Sequence, residues 1–250
     1  MKKKFAAVIG AAVLALSGCS LFGPAATSAI RTYNFDEMEL IQFEEPDEGQ
    51  PLAVINTSAG TIKAILYPEY APNTVDNFIN RAKEGFYNGK DIYAVVDEAF
   101  FLTGSYNEEG TQGFTNDGNP IANEYSVNLW TFKGALCAYN GKQGYGDSRF
   151  FVINDKPLTE DEIAELRGIK NSDGEQIIPD KLIDAFVEKG SVAHFAGYYT
   201  VFGQTIEGFE VIDKICTTEV DENTARPVSE LIIESIEITE YVSSEEEAIE

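Results

Sequence analysis

Residues 118–154 read GNPIANEYSVNLWTFKGALCAYNGKQGYGDSRFFVIN, and their reading decides the fold. Two β-type runs, Gly134–Asn140 and Arg149–Ile153, flank a loop that carries Gly141, Gly144 and Gly146. Ser148-Arg149-Phe150-Phe151 follows that loop directly. Successive side chains on a strand point to opposite faces, so Phe150 and Phe151 divide between two environments. One serves a core, and the other is free to line a surface groove.

Working outward, 250 residues suit one domain of average-to-large size with extensions. With 44% hydrophobic and 12% aromatic residues the chain can fill a core. The formal net charge is −24, and removing residues 1–18 takes Lys2, Lys3 and Lys4 but no acid, which deepens it to −27. Such a chain repels nucleic-acid phosphates, whose binding relies on basic neutralisation, so a nucleic-acid partner is excluded. The acidity otherwise reads as solvated surface.

The N-terminus carries Lys2–Lys4, an apolar run Phe5–Leu16 too short to span a bilayer, and then Leu16-Ser17-Gly18-Cys19. The last four residues resemble a bacterial lipobox. That resemblance implies a lipoprotein signal peptide over 1–18, with Cys19 acylated as the mature N-terminus. An ordinary secretion signal is the other reading. Several acyl chains on one cysteine hold a protein at a membrane where a single chain would not. The expected location is therefore extracytoplasmic, anchored to the cell membrane through Cys19. Cys137 and Cys216 lie in apolar runs. A disulfide is open to an exported protein, but two buried thiols suit that setting better.

Residues 19–51 read as an acidic tether, rich in Asp and Glu from Asp36 to Glu48, with Tyr33, Phe35, Leu40, Ile41 and Phe43 able to dock locally. From Leu52 the pattern changes. Leu52–Asn56 and Thr61–Tyr67 form a hairpin pattern around Thr57-Ser58-Ala59-Gly60. Pro72 opens a helix whose apolar stripe is Val75, Phe78, Ile79 and Ala82, with Gly85 as its stop. Over about 156–190 a helical insertion is expected. Thr159 and Glu162 make a capping box in its first helix, and Pro179 starts a second with Leu182, Ile183 and Phe186 on one face. A helix over Glu207–Ile215 and a closing strand over Leu231–Ile238 complete the domain at 52–240, and 241–250 is an acidic tail.

Several blocks resemble, in order and spacing, the cyclophilins, the barrel-type peptidyl-prolyl isomerases. They are Ala71-Pro72-Asn73-Thr74-Val75-Asp76-Asn77-Phe78, Gly85-Phe86-Tyr87-Asn88-Gly89, GNPIANEYSVNL, GALCAYN, SRFFVI, and His194 to Gln204. The resemblance implies a mainly β fold: a closed, eight-stranded antiparallel barrel capped by two helices. It implies isomerisation of Xaa-Pro bonds, with no cofactor and no metal, in a monomer acting on proline-containing segments of exported proteins. Isomerisation must lower a barrier of about 18–20 kcal/mol set by amide resonance. A guanidinium aimed at the twisted amide favours that transition state over either planar form.

The sequence departs from the family at that point. Ile92-Tyr93-Ala94 stands where Phe-His-Arg is expected, so Ala94 takes the arginine position. Leu102 or Thr103 falls on the family's glutamine, Arg149 on the Gln of Ser-Gln-Phe-Phe, His194 on a rim tryptophan and Tyr199 on a histidine. The apolar grip is kept better. Phe151 matches the floor of the proline pocket, Phe195 and Phe100 or Phe101 its walls, and Tyr139 and Asn140 the strand edge that holds the peptide. Arg149 either returns a guanidinium from a different strand or is a surface arginine paired with an acid. A single histidine makes a metal site improbable. Two readings follow: an isomerase with weak or lost turnover, and a non-catalytic module that binds proline peptides or a partner.

Overall fold

A computed structural model describes residues 33–96, 98–142 and 144–243. The signal segment, Cys19 and most of the acidic tail lie outside these residues. Among the described residues no helix is long and apolar enough to cross a membrane.

Strands β1 (Pro51–Thr57) and β2 (Gly60–Leu66) form the expected hairpin. The Thr57 hydroxyl donates to the Gly60 carbonyl and accepts from the Ala59 and Gly60 N–H groups, which fixes the two-residue turn. Next come helix α1 (Pro72–Lys83) and strands β3 (Lys90–Asp91), β4 (Ala94–Val96), β5 (Phe100–Thr103), β6 (Ile121–Ala122), β7 (Ala135–Tyr139), β8 (Tyr145–Gly146) and β9 (Arg149–Ile153). The insertion supplies α2 (Glu160–Gly168) and α3 (Asp180–Lys189), and β10 (Val201–Glu207), α4 (Phe209–Cys216) and β11 (Ile232–Glu240) finish the domain.

The sheet has nine antiparallel strands in the order β3-β11-β1-β2-β10-β7-β9-β5-β4, with β6 and β8 paired separately. It curls into a half-barrel, which corrects the expected closed barrel of eight strands. The reason lies at Ile92-Tyr93. Ile92 N–H donates to the Leu231 carbonyl beside β11, and Tyr93 N–H donates to the Leu102 carbonyl on β5. The chain therefore splits into two short pieces that pair with opposite neighbours, and no ladder joins β3 to β4. Both open edges are two or three residues long, which limits edge-to-edge pairing with other chains.

Inside the curl, Ile55, Ile62, Phe101, Phe150, Val152 and Phe202 meet Val75 and Phe78 of α1 and Ile212 and Ile215 of α4. Each such side chain, fully buried, contributes about 1.5–3 kcal/mol, so the two helices are integral to the core. The last helix begins two residues later than its sequence pattern suggests, because β10 runs on to pair Glu207 with Lys63. Gly208 then turns the chain at φ +91°, where a Cβ would sit 2.4 Å from the Thr61 carbonyl oxygen. At the other end, Glu124 accepts hydrogen bonds from the Asn73 and Thr74 N–H groups at the start of α1. A carboxylate there complements the helix dipole.

Residues 33–50, the described part of the expected tether, pack on the domain. Gln42 is buried, donates to the Trp130 carbonyl at 2.9 Å, and accepts from the Trp130 N–H. Tyr33 and Phe35 lie against the Trp130 ring, and Phe43 lies against Phe132. Met38 joins Leu166, Leu182, Ile183 and Phe186 of the insertion in one cluster, so segment and insertion share a core. The capping box of α2 forms with Thr159 and Glu162, as its sequence predicts.

Candidate active site

One row of residues crosses the outer face of the sheet. Register pairs Ala94 with Leu102, Leu102 with Phe151, and Phe151 with Cys137. Ala94 and Phe151 therefore share a face, two strands apart, or about 10 Å at the usual strand spacing. Phe150 points the opposite way into the core with Phe101. Phe101 is thus no wall of this site, whereas Phe100 is.

Phe151 sits at the centre of three other aromatic rings. Its centroid lies 5.3 Å from Phe100, 5.6 Å from Phe195 and 4.9 Å from Tyr199. Phe195 also touches Phe100 and Tyr199, each at 5.2 Å. Ring contacts at these distances are favourable, and they bury the Phe151 ring. Phe151 is only 1% exposed, and Ala94 is wholly buried.

Arg149 lies on the same face, one pleat along β9 from Phe151 and paired with Tyr139. Of the two readings open for Arg149, pairing with an acid is what the structure has, but the residue is buried and not at the surface, with 3% exposure. Its Nε and Nη2 donate to Asp147 at 3.0 and 2.6 Å, its Nη1 donates to the Gly110 carbonyl at 3.0 Å, and the guanidinium lies over the Tyr139 ring. Burial pulls the Arg149 pKa down, but the hydrogen bonds and charge of Asp147 outweigh it and leave it raised. Asp147 also accepts from the Arg149 backbone N–H and from Asn140 Nδ2, so its oxygens are fully used. The 104–118 loop closes over this pair only because it carries glycine. A Cβ on Gly113 would overlap the Asp147 carboxylate, and one on Gly110 would lie 2.5 Å from the Tyr93 ring.

The backbone beside Tyr139 and Asn140 is engaged as well. Ala138 N–H donates to the Thr200 carbonyl, and the Tyr139 carbonyl accepts from Asp147 N–H. His194 is not on a groove rim: it is 3% exposed in a short 3-10 turn, Ala193–Phe195. Its Nε2 lies 2.9 Å from Glu162 Oε1, while the other Glu162 oxygen accepts from Thr159 in the α2 cap. Burial lowers the His194 pKa against the opposing charge of Glu162. Glu162 and Asp147 are the two functional neighbours that sequence reasoning missed. Asp147 was legible only as the residue two before Arg149, and Glu162 only as a cap. Cys137 and Cys216 are free, buried thiols. Burial holds the Cys137 pKa well above the thiol range and pushes Cys216 up to about 12.

The model of the cyclophilin type peptidyl-prolyl cis-trans isomerase family matches residues 52–238. The chain belongs to the cyclophilin-type peptidyl-prolyl isomerase family. A Staphylococcus aureus relative (strain USA300), whose name assigns it as a peptidyl-prolyl cis-trans isomerase, is 30% identical over 197 residues, covering 79% of this chain and 96% of the relative. A Staphylococcus epidermidis relative of the same name is 29% identical over the same share. The fold is similar to the crystal structure of a Cryptosporidium parvum cyclophilin-type isomerase obtained in the presence of the dipeptide Ala-Pro. That match has a TM-score of 0.58 at 20% identity and covers 75% of this chain and 98% of the other. Register brings Ala94, Leu102 and Phe151 into one row across three neighbouring strands.

Proposed function

We propose that this chain is a cyclophilin-type peptidyl-prolyl cis-trans isomerase of the cell envelope whose turnover is weak or lost, acting on proline-containing segments of exported proteins. The observation that carries the reading is the burial of Phe151, the residue that the resemblance makes the pocket floor, against Phe100, Phe195 and Tyr199. Ala94 stands where the family resemblance places the guanidinium, and the neighbouring cation, Arg149, is committed to Asp147 and Gly110. Any residual catalysis then requires the aromatic cluster to open and Arg149 to exchange its partners. The Ala-Pro dipeptide used with the Cryptosporidium relative supports proline peptides as the ligand class. The lipobox-like Leu16-Ser17-Gly18-Cys19 supports a lipid anchor and an extracytoplasmic location.

Exchange NMR on a short Xaa-Pro peptide tests the reading. The expected result is little or no acceleration of cis–trans exchange at catalytic protein concentration; acceleration of ordinary isomerase size overturns it. The alternative is a binding module on the same fold, for which Ala94 in place of a guanidinium is no handicap because binding needs no stabilised twisted amide. It predicts saturable peptide-induced shifts around Phe151 without exchange acceleration, and absence of both removes a proline-peptide role altogether. For the anchor, Cys19→Ser is expected to release the protein from membranes, and continued retention contradicts lipidation.

A further inference from the structure

A second concavity lies away from the Phe151 row, between the docked segment 39–50 and the sheet. It encloses about 450 Å³, with Ile41, Ile65 and Ile206 among its apolar walls. That volume falls within the range of ligand sites, about 300–1,000 Å³. Its rim carries six carboxylates: Glu39, Glu44, Glu45, Asp47, Glu48 and Glu69. No lysine or arginine lines it, and none of the six is ion-paired with a described residue. Glu48 accepts one backbone N–H, from Ser243.

The second, independent observation is Tyr67. Its side chain lines the cavity and is 8% exposed, yet no described residue hydrogen-bonds its hydroxyl. Glu44 and Tyr70 line the same cavity wall as Tyr67. The Tyr67 and Tyr70 rings lie 6.4 Å apart at a steep angle. The unpartnered hydroxyl is free to accept from a ligand's N–H, and tyrosine faces beside carboxylates suit a cation.

We propose that this cavity binds a basic segment of a polypeptide, with one Lys or Arg side chain lying against the Tyr67 and Tyr70 rings and further cations on the acidic rim. The inserted N–H donates to the Tyr67 oxygen, and the aliphatic stem packs on the isoleucines. Charge complementarity selects this occupant over an acidic or neutral one. A divalent ion fits less well, because among the described residues no three carboxylates converge closely enough to ligate one. The proposal is independent of isomerase activity, since it requires no proline.

The test uses the whole 15N-labelled chain and the peptide acetyl-Gly-Arg-Leu-Arg-Gly-amide, with the Arg→Gln peptide as control. Expected are saturable shifts at Gly49, Gln50, Tyr67 and Tyr70 that weaken steeply with salt. The Glu44→Gln/Glu69→Gln double variant, at two exposed positions, is expected to weaken binding roughly tenfold or more, in line with the strength of charge-assisted hydrogen bonds. Tyr67→Phe keeps the ring and is expected to weaken it by roughly threefold to tenfold, the size of one hydrogen bond. Equal affinity for the Gln peptide, unchanged affinity in the double variant, or shifts confined to other surfaces each overturns the proposal. So does calcium saturating the same resonances while the peptide fails to displace it.

Discussion

Placing an arginine at position 94 is the sharpest test of the proposal that turnover is weak for want of a guanidinium there. If only the guanidinium were missing, Ala94→Arg would revive catalysis. The structure predicts otherwise. Ala94 is wholly buried, and its row neighbours Leu102 and Phe151 are 5% and 1% exposed. The carboxylate nearest in function, Asp147, is already saturated by Arg149 and Asn140. A guanidinium at position 94 would therefore be buried without a partner, at a cost of about 3–5 kcal/mol. Overpacking adds about 1–3 kcal/mol. For a domain of this size each kcal/mol moves Tm by about 2–4 °C, so the pairing loss alone is expected to lower Tm by roughly 6–20 °C. The assay is thermal and urea unfolding of wild type and Ala94→Arg, with exchange NMR on an Xaa-Pro peptide for both. The expected outcome is a large loss of stability and no gain in exchange rate. A variant with wild-type Tm and fast exchange would refute the reasoning, because it would show the outer face open in solution.

Arg149→Met should lose about 3–5 kcal/mol in urea unfolding, because it strands a buried Asp147 carboxylate; Asp147→Asn in the same background should recover part of that loss, and an unchanged midpoint for Arg149→Met would remove the buried pair from the account. Acidification should loosen the inserted helices: the folded-state pKa of His194 lies below 6.5, so the unfolded chain binds more protons just below that pH and stability falls there, by at most about 1.4 kcal/mol per pH unit. Glu162, lowered below 4.5 by its Thr159 and His194 partners despite burial, adds a loss in the same direction as pH drops through its own folded value. His194→Gln should flatten the upper part of that slope, measured as unfolding midpoint against pH, and an identical slope would contradict the assignment. In Cys19→Ser protein, Cys137 and Cys216 should resist an aromatic disulfide reagent in the native state and both react after unfolding, since thiolate formation is suppressed by burial; rapid native labelling would show that the core opens.

Periodic patterns carried far in this chain because they report local geometry. The alternation in Arg149–Ile153 placed Phe150 and Phe151 on opposite faces, and the structure has them in separate clusters. The stripe of α1, the capping box of α2 and the Gly85 stop were legible for the same reason. The split of residues 90–96 into two strands was not. It depends on which neighbours Ile92 and Tyr93 find in space, and Leu231 is far from them along the chain. Local docking by the five apolar residues of 33–50 was legible, but the anchoring role of Gln42 was not, because its partners Trp130 and Gln204 lie much further along the chain.

By itself, then, the sequence determined the family blocks, the strand and helix periods, the absence of arginine at position 94 and the acidic surface. These are properties of residue type and spacing. Only the tertiary structure decided that Arg149 is locked to Asp147 and Gly110, that His194 ties down the insertion, and that Phe151 is buried in a cluster of four aromatic rings. Each of those depends on side chains from separate elements meeting in three dimensions, and whether apolar rings line a groove or close it turns on packing distances of a few ångströms, to which the order of residues along the chain is blind.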